Sequence, residues 1–276
     1  MQTSLENAVV LVTGSARRVG RAIALEFARQ GANLVVHHSN SPEDAESTKA
    51  RAHTLGVDAI IVQADQSRPE DVQAMFEAIR AHYGRLDVLV NSAASFRKGD
   101  LLEIGFEEWQ SVMATNLTGP FLCTQHAARL MIDPAREYRL ANKNKSASST
   151  MSSGLSREHS RGGSIINISD NSGLKPWVAR PHHSIAKAGV IQLTQVAALA
   201  LAPHGIRVNC VVPGPVLPAA GEPEDSVLGV ARDLPLGRIG EPNDIARACV
   251  FLATNDFATG SILRVDGGEG LVGGET

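Results

Sequence analysis

Asp170, His183 and Lys187 are separated by thirteen and four residues. Residues four apart on a helix share a face, so an ammonium at 187 stands beside an imidazole at 183. That cation disfavours imidazolium, whereas an ionised Asp170 close by favours it. Imidazole exchanges protons near neutral pH, which makes His183 a candidate general acid–base and leaves Asp170 as the other candidate donor. A nucleophilic or water-activating histidine is the competing chemistry for the same residue.

A second constellation suits phosphate. Thr13-Gly14-Ser15-Ala16-Arg17-Arg18-Val19-Gly20 follows an apolar run and opens a helical period. Gly14 permits a tight turn and Gly20 permits close packing of helix on strand. The helix N-terminus offers N–H groups and positive dipole to a pyrophosphate. Arg17 and Arg18 add cations at the same place. Beyond the second apolar run the chain reads His37-His38-Ser39-Asn40-Ser41. A carboxylate here bonds the adenosine ribose hydroxyls of NAD and repels a 2′-phosphate. None is present, so the expected cofactor is NADP(H). No further ligands cluster with the two histidines, and no metal site is expected.

These residues need elements to position them. Apolar runs at 9–13, 33–37, 59–63, 86–91, 164–168, 207–212 and 262–265 read as strands. Between them, 18–30, 42–55, 69–83, 106–131, 183–201 and 243–253 read as helices, with Gly31, Gly56 and Gly84 as stops. This alternation predicts an α/β single domain over 1–276. Its form is a doubly wound (Rossmann-type) seven-stranded parallel sheet with helices on both faces. One segment breaks the rhythm. Residues 133–163 are serine-rich and too long for an ordinary connection, and are expected to be a mobile surface insertion or, alternatively, a subunit contact.

Composition bounds the function. With 276 residues, 43% of them hydrophobic, there is ample material for a core. A net charge of −3 provides no basic excess to follow a nucleic-acid backbone. The apolar runs fall short of the ~20 residues that span a bilayer, so no membrane partner is expected. Three scattered cysteines fit a reducing compartment, and the predicted location is cytoplasmic.

Over nearly its whole length the chain resembles the short-chain dehydrogenase/reductase family. The 13–20 loop matches that family's cofactor loop, and Asp65 the position that contacts adenine. Asn91-Ser92-Ala93-Ala94 is similar to its Asn-Asn-Ala-Gly signature. Asn116 matches its proton-relay asparagine, Lys187 its active-site lysine, and Pro213-Gly214-Pro215-Val216 the loop that meets the nicotinamide carboxamide. The resemblance implies cofactor contacts from Gly14, Arg17, Arg18, Val19, Gly20, His38, Ser39, Asn40, Asp65, Asn91, Ala93, Lys187, Pro213, Gly214 and Val216. It also implies a substrate lid at 217–238 and a homotetramer built on the helices at 106–131 and 183–201.

Within the family the chain looks most like pteridine reductases. Arg18 stands in place of a loop glycine, Asp170 in place of the usual serine, and Phe96 after Ser95 where a phenylalanine stacks on the pterin. A pterin- or folate-like heteroaromatic substrate follows from that likeness. Ser95, Phe96, Asp170, Trp177 and His183 are expected to line its site. One departure matters for the chemistry. The family works through Tyr-x-x-x-Lys, and here His183 stands four residues before Lys187. The chain has only two tyrosines, Tyr83 and Tyr138, and neither lies in that motif. The expected catalytic set is therefore Asp170, His183, Lys187 and Asn116, in a reductase with an atypical acid. A non-redox enzyme or a binding protein on the same scaffold is the alternative.

Overall fold

The computed structural model describes residues 4–132, 162–218 and 228–272. The expected insertion at 133–163 lies, except for its last two residues, outside them, as do residues 219–227 of the expected lid.

Seven short strands carry the molecule. They are β1 (Val9–Val12), β2 (Asn33–His38), β3 (Ala59–Gln63), β4 (Val88–Asn91), β5 (Ser164–Ile168), β6 (Arg207–Pro213) and β7 (Ile262–Val265). All six pairings are parallel, in the order β3-β2-β1-β4-β5-β6-β7. The central strands are buried along their whole length, which is why they read as continuous Val/Ile/Leu runs rather than alternating ones. The strand order reverses between β1 and β4. Ligands of such sheets bind at the strands' carboxyl ends near that crevice.

Helices close both faces. On one lie α1 (Arg18–Arg29) and, late in the chain, a helix at Pro242–Thr254; Ile23, Phe27, Ile245, Cys249 and Leu252 fill the space beneath them. On the other lie α3 (Pro69–Tyr83) and the helices that follow β4 and β5, packed through Val72, Phe76, Ile79, Cys123 and Ala127. The polar helix α2 (Pro42–Thr54) flanks β2 and β3.

The predicted helix at 106–131 is not continuous. It is α4 (Phe106–Met113), a π-helical turn Ala114–Thr118, and α5 (Gly119–Met131). Pro120 has no N–H to return to the carbonyl of residue 116, so the ladder slips, and the N–H of Gly119 reaches back to Ala114. The widened turn points the buried Asn116 into the site.

The next helix, α6 (Pro181–Leu201), begins two residues earlier than expected, with Pro181 in its first turn where a missing N–H costs nothing. With the turn that follows, Pro181–His204 has a mean hydropathy of 1.5 over its most apolar window. By length and composition alone it is apolar enough to cross a membrane, although Lys187, Gln192 and Gln195 keep it from being an uninterrupted apolar run. In the fold it packs on β5 and β6 and carries Lys187, His182 and His183 buried against the protein. Its outward face shows Ile185, Val196 and Leu199. The short α7 (Leu228–Asp233) and α8 (Pro242–Thr254) complete the described elements.

Candidate active site

Every predicted site segment follows the carboxyl end of a strand, or sits on a helix facing that end, so the parallel sheet gathers them along one edge. At β1 the loop turns at Gly14, whose φ is +68°. A Cβ on Gly20 would lie 2.3 Å from the Gly14 carbonyl oxygen, so no side chain fits there. Arg17, Arg18 and the half-buried Val19 complete the turn, with both arginines exposed. Arg18 holds a φ of +56°, a left-handed conformation that disfavours residues with a Cβ, and its guanidinium donates to the carbonyl of Pro218. The Thr13 hydroxyl accepts the N–H groups of Ser92 and Ala93, tying this loop to the end of β4.

A residue the sequence offered only as half of a histidine pair at a strand end holds the loop from below. His37 is buried at the end of β2 and takes the N–H of Gly14 on Nδ1 at 2.9 Å. Its Nε2 lies 3.0 Å from the Ala64 carbonyl, so that nitrogen carries the proton and the ring is neutral. Burial pushes its pKa down to about 4, with the Ala64 bond opposing and neighbouring His38 assisting. The only sequence signal was the pair of adjacent histidines at a strand end. His38 is also buried, with Nδ1 accepting from Ser41, while Ser39 and Asn40 are exposed beyond it. Asp65 is exposed and its carboxylate caps the turn at Ser67. Its neighbour Gln66 was missed: the side-chain amide donates to the carbonyls of Ala93 at 3.0 Å and Thr115 at 2.7 Å, joining the loop after β4 to the π turn.

Asn91 stands apart from the rest. Its amide faces inward, donating to Asn167 at 2.8 Å, and Asn167 donates in turn to Thr194. This chain joins β4, β5 and α6 inside the core. Pro213, Gly214 and Val216 leave β6 half-buried, with the Gly214 backbone against Asp266.

The reaction end is assembled around His183. Its Nε2 lies 2.6 Å from Asp170 Oδ2. Its Nδ1 lies 3.2 Å from the Asn116 amide nitrogen and 3.1 Å from the Ser95 carbonyl. Asn116 is fixed by two bonds to Ser95, donating to its carbonyl and accepting its N–H. The arrangement suits both charge states of the ring. Neutral, with the proton on Nε2, it donates to Asp170 and accepts from Asn116. Protonated, it donates to Asp170 and to Ser95. The other carboxylate oxygen of Asp170 accepts from the backbone and hydroxyl of Ser172. Burial pushes the Asp170 carboxyl up, but the His183 bond and the Lys187 cation outweigh it and hold the pKa below its usual value. Lys187 is buried and donates to the Ile168 carbonyl at 2.8 Å; burial lowers its pKa, and Asp170 opposes that.

An aromatic wall flanks the imidazole. Trp177 lies parallel to it at 6.5 Å, and Phe96 meets it edge-on at 4.9 Å. The Arg180 guanidinium sits 3.6 Å from the Phe96 ring centroid and donates to the Phe96 carbonyl. Phe96 remains 46% exposed, enough to present a ring face to a ligand.

Residues 8–226 match the model of a protein family described as short chain dehydrogenase. A 3-oxoacyl-[acyl-carrier-protein] reductase from Synechocystis sp. is 35% identical over 96% of this chain and 98% of its own. An L-rhamnose 1-dehydrogenase (NAD(P)(+)) from Azotobacter vinelandii is 35% identical over 94% of this chain and 95% of its own. The chain belongs to the short-chain dehydrogenase family. A crystal structure of a protein described as a short-chain alcohol dehydrogenase, from Sinorhizobium meliloti 1021, superposes with a TM-score of 0.81 at 26% identity, covering 96% and 98% of the two chains. As a member of that family the chain is an oxidoreductase that uses a nicotinamide cofactor.

Proposed function

We propose that this short-chain dehydrogenase is an NADP(H)-dependent reductase acting on a carbonyl or imine, with a pterin-like heteroaromatic as the favoured substrate class. His183 is proposed to stand where the family has tyrosine and to supply the proton. The carrying observation is the seating of His183 between a carboxylate and an amide, which stabilises the ring in either charge state.

The residues present fit the cofactor. The Gly14–Gly20 contact leaves a backbone cradle open at a helix N-terminus, which suits a pyrophosphate. Arg17, Arg18, Ser39 and Asn40 offer exposed cations and hydroxyl or amide groups, with no carboxylate among them, which supports a cofactor that carries a 2′-phosphate. When bound, the nicotinamide supplies hydride to the electrophilic carbon. His183 gives a proton to the oxygen or nitrogen of the same double bond, so the product gains two hydrogens. Asp170 stabilises the imidazolium that precedes transfer, Lys187 keeps Asp170 ionised, and Asn116 receives the ring once it is neutral. Phe96 and Trp177 form an apolar wall for a flat ring system. The apolar outward faces of α5 and α6, with Phe121, Ile185, Val196 and Leu199 exposed, support assembly as a homotetramer in the cytoplasm.

One observation favours a second reading. Both ring nitrogens of His183 are already engaged, as they would be in a site that binds a pterin- or folate-like ligand without redox turnover.

The test is NADPH consumption with a dihydropterin and with a 3-oxoacyl thioester, on this chain and on His183→Tyr. Turnover by the native chain and a loss of ~10-fold or more in the variant are expected, since a phenol is too long for a ring seated 2.6 Å from Asp170. A faster variant would remove His183 from the proton step. NADPH binding without turnover would favour the second reading.

A further inference from the structure

The turn that carries Asp170 is gripped from two sides. Asp170 opens a one-turn helix, Asn171–Gly173, and caps it by accepting the N–H of Ser172. On one side Gly173 presses against α6, where a Cβ on it would lie 2.8 Å from the Lys187 backbone. On the other side Asn171 faces the C-terminal turn that follows β7. Its side-chain amide donates to Glu269 Oε2 at 2.5 Å and to Asp266 Oδ2 at 3.3 Å. Beyond it, the Lys175 ammonium donates to the Val272 carbonyl at 3.4 Å.

The C-terminal turn has its own internal frame. Asp266 accepts the N–H groups of Gly268 and Gly270. Gly214, in the loop after β6, makes room for it, since a Cβ there would come within 2.6 Å of Asp266. The turn therefore meets the loop after β6 and the Asp170 turn at once.

Two features of this junction work against stability and so point to a use. Asn171 is buried, and among the described residues its Oδ1 has no hydrogen-bond partner. The amide presents its donor to the carboxylates and leaves its acceptor unpaired, which is unfavourable inside a protein. Glu269 is half-buried close to two other carboxylates. Burial pushes its carboxyl above the usual range, the Asn171 bond opposes this, Asp266 and Asp170 add to the rise, and Lys175 opposes it. A neutral side chain at 269 would avoid that repulsion. What only an acceptor at 269 supplies is the shortest bond that Asn171 makes.

We propose that Glu269 is a positioning residue: through Asn171 it latches the C-terminal turn onto the turn that holds Asp170, and so keeps Asp170 in register with His183. No hydrogen bond joins Glu269 to His183 among the described residues, so its influence runs through Asn171. The effect on rate rests on the proton-donor reading of His183. The latch itself does not.

The test uses the full chain and two readouts. Backbone hydrogen exchange over 170–176 is followed in the unliganded protein, and kcat and KM are measured with NADPH and a turned-over substrate. Glu269→Ala should speed exchange in that segment ~10-fold and lower kcat ~10-fold, with both KM values within about twofold. Glu269→Gln keeps an oxygen that accepts from Asn171, and should restore both exchange and kcat to within about threefold of native. Asn171→Ala should match Glu269→Ala. Three results would overturn the latch: native exchange in Glu269→Ala, a Glu269→Gln protein as impaired as Glu269→Ala, or faster exchange with native kcat while His183→Ala loses ~100-fold. The second would mean that the charge matters and the bond does not. A His183→Ala protein with native kcat would instead sink the proton-donor reading. Exchange in Glu269→Ala and Glu269→Gln, which needs no turnover, then decides the latch by the same criteria.

Discussion

His37 and His183 are buried to the same degree, 2% and 1% exposed, at opposite halves of one sheet edge. Both have both ring nitrogens engaged. Their partners differ. His37 is held by a backbone N–H and a backbone carbonyl, which accept one tautomer and no charge. His183 is held by a carboxylate and by an amide–carbonyl pair that accept the ring with one proton or two. Burial therefore does not decide whether a histidine can do chemistry. A fixed pair of backbone partners makes His37 a fastener, whereas a reversible set of partners is what the proton-donor role proposed for His183 requires. The two half-edges divide in the same way, with β1 to β3 carrying the proposed cofactor cradle and β4 to β6 the groups proposed to exchange protons.

Removing each ring should separate the two roles. His183→Ala is expected to lower kcat by about 10²–10⁴, the usual worth of a positioned acid, with the KM for NADPH within about threefold. His37→Ala should do the reverse, raising the KM for NADPH while kcat on saturation changes little. Steady-state kinetics on both variants checks this. A His37 variant that loses kcat at unchanged KM would break the comparison.

His37 should also appear in stability. Its loss leaves the Gly14 N–H and the Ala64 carbonyl unpaired inside the protein, a cost of about 2–4 kcal/mol in urea unfolding. The pH dependence has a definite sign. The folded ring titrates near 4 and the unfolded ring near 6.5, so between those values only the unfolded chain binds the proton. Stability is then full above the unfolded pKa and falls as pH drops from 6.5 to about 4, by roughly 3 kcal/mol. Asp170, whose folded pKa is depressed, contributes above the unfolded carboxylate value of 3.8 and is lost only at lower pH. The two windows hardly overlap. His37→Gln should flatten the first and leave the second. An unchanged slope above pH 4 would mean that His37 is not held neutral.

The fold was readable because its signals are local. Buried parallel strands such as Val9–Val12 and Ser164–Ile168 must be continuous apolar runs, and glycine stops such as Gly84, with φ +67°, mark where helices turn. The spacing of His183 and Lys187 on α6 was readable for the same reason. What was missed depends on contacts across the sheet. The π turn at Asn116 follows from Pro120 meeting a ladder that would otherwise continue. The role of His37 was not read because its two partners, Gly14 and Ala64, are 23 and 27 residues away. Gln66 bridges to Ala93 and Thr115, and the parallel stacking of Trp177 on His183 depends on where the loop after β5 folds back. No period or motif reports such placements.

The smallest expected effect tests the cradle itself. Arg18 sits at φ +56°, where a side chain costs roughly 1 kcal/mol relative to glycine. Arg18→Gly relieves that strain but frees more backbone in the unfolded chain and removes an exposed bond to Pro218. The net expectation is a gain of about 0.5 kcal/mol or less, a rise of only 1–2 °C in melting temperature. NADPH affinity should fall several-fold while NADH affinity stays nearly constant, because a cation beside the 2′-phosphate acts on one cofactor and not the other. If both affinities fall together, Arg18 serves the shared pyrophosphate instead. Cofactor choice then rests on the carboxylate-free turn at Ser39 and Asn40, and the half-edge that holds His37 shapes the loop without setting its specificity.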